Sequence, residues 1–78
     1  MSDLMRADCW MQMVLSYDTP INVCEKRFRE FSLEADFFIR NELRNRVIPN
    51  AENSGHLTVA EGYKKILTVL EKVIAQKQ

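Results

Sequence analysis

Apolar residues recur at helical spacing along the last third of the chain. From residue 59 onward they fall three or four positions apart, which is typical of a helix with one buried face. This stripe consists of Val59, Tyr63, Ile66, Leu67, Leu70, Val73 and Ile74. At its start, Thr58 and Glu61 have the spacing of a capping box, in which each side chain bonds the backbone amide of the other. The pattern predicts a helix over residues 58–77, whose stripe forms either the core or a dimer seam.

The middle of the chain predicts a second, longer helix. Pro20 suits a first helical position with Asp18 or Thr19 as the cap before it, and neither glycine nor proline follows until Pro49. At about 100° per residue, one side of this helix collects Ile21, Cys24, Phe28, Phe31, Ala35, Phe38, Ile39 and Glu42. We expect a continuous helix over residues 20–47. The alternative is a break at which Ser32 caps a new helix that begins at Leu33.

The first segment, residues 3–17, admits two interpretations. Met5, Cys9 and Met13 recur every four residues, with Trp10, Val14 and Tyr17 alongside, which indicates an amphipathic helix entered at Ser2 or Asp3. Residues 11–17 also alternate imperfectly, as a strand does, and such a lone strand would pair with its copy across a dimer. Helix is favoured, because methionine, alanine and glutamine are better helix formers than strand formers.

A break over residues 49–57 separates the last two helices. It contains Pro49, Ser54, Gly55 and two asparagines, which favour turns or interrupt helices. A loop of this length folds the last helix back against the middle one. The predicted fold is therefore all-α, a single domain over residues 1–78 built as a small antiparallel three-helix bundle that dimerises. The alternative is an α+β fold with an N-terminal strand at 11–17.

Composition and charge narrow the functional classes. The chain is 46% hydrophobic and 28% charged, as globular proteins are, and its eleven basic and eleven acidic residues cancel. No whole-molecule field therefore draws it to nucleic acid or to an anionic membrane. No run approaches the roughly 18 apolar residues of a transmembrane segment, and the first residues lack the pattern of a secretory signal. We expect a cytoplasmic protein without a transmembrane segment.

No residue pattern predicts a catalytic, cofactor or metal site. Cys9 and Cys24 form no CxxC pair, and with one histidine they make no zinc-ligand set, so both are expected to be free thiols in the core. A disulfide between them is the alternative. Ser54 and His56 could act as nucleophile and base, but a catalytic serine also needs a third group and an oxyanion site. We interpret them as exposed loop residues and the protein as not an enzyme, without a cofactor.

Charges along the middle helix mostly indicate ordinary surface ion pairs. Acidic residues precede basic ones by four positions three times, and each such pair contributes about 0.2 to 0.5 kcal/mol to a solvated helix. These pairs are Glu25 with Arg29, Asp36 with Arg40, and Glu42 with Arg46.

Leu33 and Phe37 form an apolar pair away from the core side of the middle helix. On a helical projection they are flanked by basic residues, among them Arg29, Arg40 and Arg44. Aromatic and arginine side chains are enriched at protein interfaces, so these five residues are the predicted partner-binding site. The alternative interpretation is that the first segment simply packs over Leu33 and Phe37.

The sequence therefore predicts a small non-enzymatic protein-binding module or regulator that acts through helical surfaces as a homodimer. It does not identify the protein partner. The alternative is a nucleic-acid-binding regulator that uses the basic residues of the middle helix: Lys26, Arg27, Arg29, Arg40, Arg44 and Arg46. Interleaved carboxylates lower the local potential and weigh against that alternative.

Overall fold

The computed structural model describes residues 3–78, and every regular element in that range is helical. The elements are α1 (Asp3–Met13), α2 (Ile21–Glu30), α3 (Leu33–Glu42), a π-helical segment (Leu43–Val47), α4 (Ile48–Asn53) and α5 (Leu57–Lys77). Because α3, the π-helical segment and α4 follow without interruption, they form one rod. The all-α prediction is confirmed, but four helical bodies replace the predicted three.

Helix α5 packs against α2, α3, the π-helical segment and α4. Its ion pairs show that it runs antiparallel to the α3–α4 rod, because Lys64 meets Glu52 at 3.1 Å while Lys77 meets Asp36 at 2.5 Å. Ile66, Leu70, Val73 and Ile74 are buried in the core, and Val59, Tyr63 and Leu67 are half-buried. The predicted stripe is therefore covered largely by the other helices of the same chain.

The middle helix is broken at Phe31 and Ser32, so the prediction of a continuous helix over residues 20–47 is wrong. Phe31 and Ser32 have extended backbone, and the Ser32 hydroxyl accepts a hydrogen bond of 3.2 Å from the amide of Ala35. The break turns Phe31 into the core, where its ring lies 6.0 Å from that of Trp10. The alternative in which Ser32 caps a new helix at Leu33 is the one observed.

Most of the predicted loop over residues 49–57 is helical. Proline lacks an amide hydrogen, and its ring crowds the carbonyl four residues earlier. Here Pro49 follows the π-helical segment, where the amide of Ile48 bonds the carbonyl of Leu43, five residues back. This wider turn lets the rod continue to Asn53. The connection to α5 is then only residues 54–56, and Gly55 supplies the positive φ of 77° that its turn requires.

Helix α5 begins without the predicted capping box. Its first residue is Leu57, and the carbonyl of His56 accepts from the amide of Ala60 at 3.0 Å. Thr58 is therefore already inside the first turn, where its side chain cannot serve as the cap. The Glu61 carboxylate is exposed and lies 3.8 Å from Lys64. The capping role assigned to Thr58 and Glu61 is wrong.

Helix α1 is shorter than predicted and buries a different face. It ends at Met13, so the helix does not reach Tyr17, and the described residues contain no strand at 11–17. Its buried residues are Ala7 and Trp10, whose indole ring lies edge-on to Phe28 at 5.7 Å. Trp10, Phe28 and Phe31 form an aromatic cluster. Because α1 turns its indole toward this cluster, the predicted stripe of Met5, Cys9 and Met13 is exposed. A cap at Ser2 lies outside the described residues.

The two cysteines have different environments. Both are free thiols, but Cys24 is buried while Cys9 is exposed, so the prediction of two core thiols is wrong for Cys9. Burial raises the pKa of the Cys24 thiol above its ordinary value. Because both thiols are free, the alternative of a disulfide between Cys9 and Cys24 is not observed.

Candidate protein-binding surface

The structure keeps only part of the predicted partner-binding patch together. Leu33, Phe37 and Arg40 share α3, and the Arg40 guanidinium lies 4.8 Å above the centre of the Phe37 ring. Arg29 belongs to α2, beyond the break, and Arg44 is exposed in the π-helical segment. The helical projection that grouped all five residues therefore does not apply across Ser32.

Leu33 and Phe37 are half-buried and pack against the core, and α1 packs against α3. This arrangement supports the alternative in which the first segment covers the pair. It also reduces the apolar area that the pair can offer to a partner. The Arg40 side chain covers more of it through the stacked contact with Phe37.

Apolar exposure is concentrated instead between α1 and the first turn of α2. Met13 is 83% exposed and Val14 56%, while Tyr17, Ile21 and Val23 are each 40% exposed. We call residues 13–23 the apolar segment. Its only charged residue is Asp18. Exposed large apolar side chains this close together in the sequence make the segment a candidate interaction site.

The sequence-based interpretation missed this surface because it placed Met13 on a buried helix face. A signal was present, since Ser16, Asp18 and Pro20 are all turn formers. Extending the predicted turn back to Ser16 would have ended α1 earlier. The methionine and valine before that turn would then have been candidates for exposure.

The backbone of the apolar segment is held in place by several contacts. Leu15 is buried, and its amide donates to the carbonyl of Trp10 at 2.9 Å. The amide of Ser16 donates to the Thr19 hydroxyl at 2.8 Å, and the amide of Thr19 donates back to the Ser16 carbonyl at 3.1 Å. Tyr17 rests against Gly62 of α5. The exposed side chains are thus presented by a fixed turn, which lowers the entropy lost on binding.

A groove of about 770 Å³ lies beside this segment, between α1, the π-helical segment and α5. Met11, Leu15 and Val47 supply apolar lining. Its charged groups already have partners, because Arg46 donates to Glu42 at 2.7 Å and Gln12 donates to Asp8 at 3.0 Å. These groups satisfy one another and support no particular ligand.

Tyr63 also lines this groove, where burial, reinforced by the nearby Asp18 carboxylate, raises the pKa of its hydroxyl above the ordinary value. The hydroxyl is therefore poorly suited to lose its proton at neutral pH.

Three of the arginines proposed for nucleic-acid binding are engaged in surface ion pairs. Arg27 lies 3.8 Å from Glu30, Arg29 lies 3.4 Å from Glu25, and Arg46 lies 2.7 Å from Glu42. Each carboxylate offsets the positive potential that phosphate binding requires. The predicted pair of Asp36 with Arg40 is absent, because the Asp36 carboxylate bonds Lys77 instead.

Ser54 and His56 occupy the exposed turn before α5, as the sequence predicts. Their backbone amides complete the C-terminal end of α4, since the amide of Ser54 donates to the carbonyl of Asn50 and the amide of His56 donates to that of Ala51. Residues 3–78 contain no group of three or more histidine, cysteine, aspartate or glutamate side chains that could hold a metal ion.

Comparisons with protein-family models, curated proteins and solved structures gave no match for this chain. Over residues 3–78, no helix has the length and apolar character needed to cross a membrane.

Proposed function

We propose that this protein is a small non-enzymatic protein-binding module that acts through its helical surfaces and associates as a homodimer. The observation that carries the proposal is the apolar segment, where five large apolar side chains are exposed within eleven residues. The flexible thioether of Met13 suits such a surface, because methionine adapts its shape to a partner. The fixed turn beneath it supplies the preorganisation that binding favours.

A second copy of the chain is the partner that this surface fits best. In a two-fold symmetric dimer the same patch meets itself, so any charge on the patch faces its own copy. Within residues 13–23 only Asp18 would create such a like-charge contact, and its carboxylate accepts a hydrogen bond from the Ser16 hydroxyl. The zero formal net charge also avoids repulsion between whole molecules.

Sedimentation velocity over a wide micromolar range tests the proposal. The wild type is expected to shift from monomer toward twice the monomer mass as concentration rises, and Met13→Lys and Val14→Lys are expected to weaken that association. Thr68→Lys, which adds the same charge at an exposed position of α5, is the matched control. Leu70→Asp is unsuitable as a probe, because Leu70 is fully buried and the variant would unfold.

A wild type that stays monomeric at the highest concentration would contradict the homodimer. Association that survives in Met13→Lys and Val14→Lys would show that another surface carries it. Circular dichroism of each variant confirms that the helices are retained.

A further inference from the structure

Side chains of both terminal helices, α1 and α5, form hydrogen bonds with one peptide group at the α2–α3 break. The carbonyl of Phe31 accepts a hydrogen bond of 2.6 Å from the Lys77 ammonium at the end of α5. The amide of Ser32, on the other side of the same peptide bond, donates at 2.7 Å to the carboxylate of Asp3 at the start of α1. The break is therefore where α1 and α5 are both fastened to the rest of the chain.

The Lys77 ammonium contacts three oxygen atoms, and its side chain is half-buried. It lies 2.6 Å from the carbonyl oxygen of Phe28, 2.6 Å from that of Phe31 and 2.5 Å from Oδ2 of Asp36. An ammonium group has three N–H donors, so each donor has one acceptor. The two carbonyls belong to the C-terminal end of α2, where the helix dipole favours a positive charge.

Asp36 makes this site more than a surface contact. Its side chain is fully buried, and its second oxygen, Oδ1, has no hydrogen-bond partner in the described part of the chain. A buried carboxylate is strongly destabilising without a cation beside it. Removing the Lys77 ammonium would leave a negatively charged space with three oxygen acceptors, which match the three N–H donors of a small primary ammonium ion.

We infer that the carbonyls of Phe28 and Phe31 and the carboxylate of Asp36 form a binding site for a small ammonium cation, which Lys77 occupies as a tethered ligand. We call it the Lys77 site. The ligand class follows from the three donor–acceptor contacts and from the buried negative charge. The inference is independent of the proposed homodimer, since no residue of the apolar segment takes part.

Chemical rescue of Lys77→Ala tests the site. Urea unfolding is measured in ammonium, methylammonium, potassium and tetramethylammonium chlorides at one ionic strength. Ammonium and methylammonium are expected to raise the folded-to-unfolded ratio of Lys77→Ala saturably, by about tenfold at ten times the Kd. Tetramethylammonium has no N–H donors and is too large, and potassium is held by a fuller shell of oxygen atoms than the three that this site supplies, so neither is expected to match them.

Two controls separate the site from a general salt effect. The wild type is expected not to respond, because its own ammonium fills the site, and the double variant Asp36→Asn with Lys77→Ala is expected to lose most of the response. If Lys77→Ala is unfolded without added cation, the same titration follows recovery of helical circular dichroism. Equal responses to methylammonium and tetramethylammonium, or to methylammonium and potassium, would overturn the inference, as would an undiminished response in the double variant.

Discussion

At the scale of single residues, Asp36 is the most unusual side chain. It is the one fully buried charged residue in the described part of the chain, and the charge that balances it comes from Lys77, 41 residues away. The sequence pairs Asp36 with Arg40, its neighbour on the next helical turn. That pair does not form, because the guanidinium of Arg40 lies over Phe37 while Asp36 faces the end of α5.

Burial raises the pKa of Asp36, although Lys77 opposes the shift and the Asp3 carboxylate adds to it. The folded state therefore holds this proton more tightly than the unfolded state. The stability that Asp36 contributes by holding its proton is complete below the ordinary pKa of 3.8. This contribution to the free energy of unfolding is lost as pH rises through the raised pKa. We expect the stability of Asp36→Asn relative to wild type to increase between about pH 3 and pH 7.

Urea unfolding of both proteins at several pH values measures this difference. Glu71→Gln, at an exposed carboxylate of α5, is the control for the changed net charge. A relative stability of Asp36→Asn that falls as pH rises would contradict the expectation, and would show that the Lys77 contact outweighs the burial of Asp36.

At the scale of the elements, the helix ends differ most from the sequence-based expectation. Apolar spacing is repeated over several turns of α5, so its central stripe was predictable from local pattern alone. A helix end depends on one or two residues, and tertiary packing decides between competing caps. Ser32 is a cap because Phe31 turns into the aromatic cluster, and Thr58 is not a cap because α5 begins one residue earlier.

Substitution of these two residues distinguishes the caps. Ser32→Ala removes the acceptor for the amide of Ala35 and is expected to lower the free energy of unfolding by about 1 kcal/mol. Thr58→Ala, at an exposed position inside the helix, is expected to lower it by no more than about 0.2 kcal/mol and can raise it. Urea denaturation measures both. A larger loss for Thr58→Ala than for Ser32→Ala would restore the capping box that the structure rejects.

Gly62 of α5 lies directly against Tyr17 of the apolar segment. A Cβ atom at this position would lie 2.9 Å from Cβ of Tyr17 and 3.0 Å from its carbonyl carbon, with the carbonyl oxygen nearer still. Alanine gains about 1 kcal/mol over glycine inside a helix, but overpacking costs about 1 to 3 kcal/mol. Because the obstacle is backbone, we expect Gly62→Ala to lower stability.

The exposed position Glu71 supplies the reference for that experiment. There, the alanine variant is expected to exceed the glycine variant by about 1 kcal/mol in urea denaturation, because only helix propensity differs. Gly62→Ala is expected to show the opposite sign. A gain in stability at Gly62 would mean that Tyr17 moves away without cost.

The fold class and the candidate surfaces were predictable to different degrees. Helical content and the stripe of Ile66, Leu70, Val73 and Ile74 follow from spacing within one segment. The extension of the rod past Pro49 was not predictable, because proline ordinarily ends a helix and the π-helical segment that accommodates it has no sequence signature. The Lys77 site was not predictable either, because its members belong to three helices and become neighbours only in the folded chain.

At the scale of the whole molecule, the chain covers its own core. Its accessible surface is 4908 Å², and a folded monomer of 9.2 kDa is expected to expose about 4,900 Å². The proposed homodimer is therefore an association of folded monomers rather than a requirement for folding. It would bury the apolar segment, with the charged helical surfaces left in solvent.

Salt dependence distinguishes this association from one carried by the arginines. Apolar contact is weakly affected by screening, so we expect the dimer Kd to change by less than about threefold between about 0.05 and 0.5 M NaCl. Sedimentation equilibrium at both salt concentrations gives the two constants. Dissociation constants that rise steeply with salt would show that ion pairs form the contact, and binding to nucleic acid would show the same steep dependence.

The two contacts at the Phe31–Ser32 peptide group join residues 29 and 46 positions apart. Closing loops of that length carries an entropic cost, so we expect these contacts to form after the central helices have assembled. Interactions that are absent from the folding transition state slow unfolding without accelerating folding. We therefore expect substitution of Asp3 or Lys77 to speed unfolding more than it slows folding, so that these two residues lengthen the lifetime of the native state.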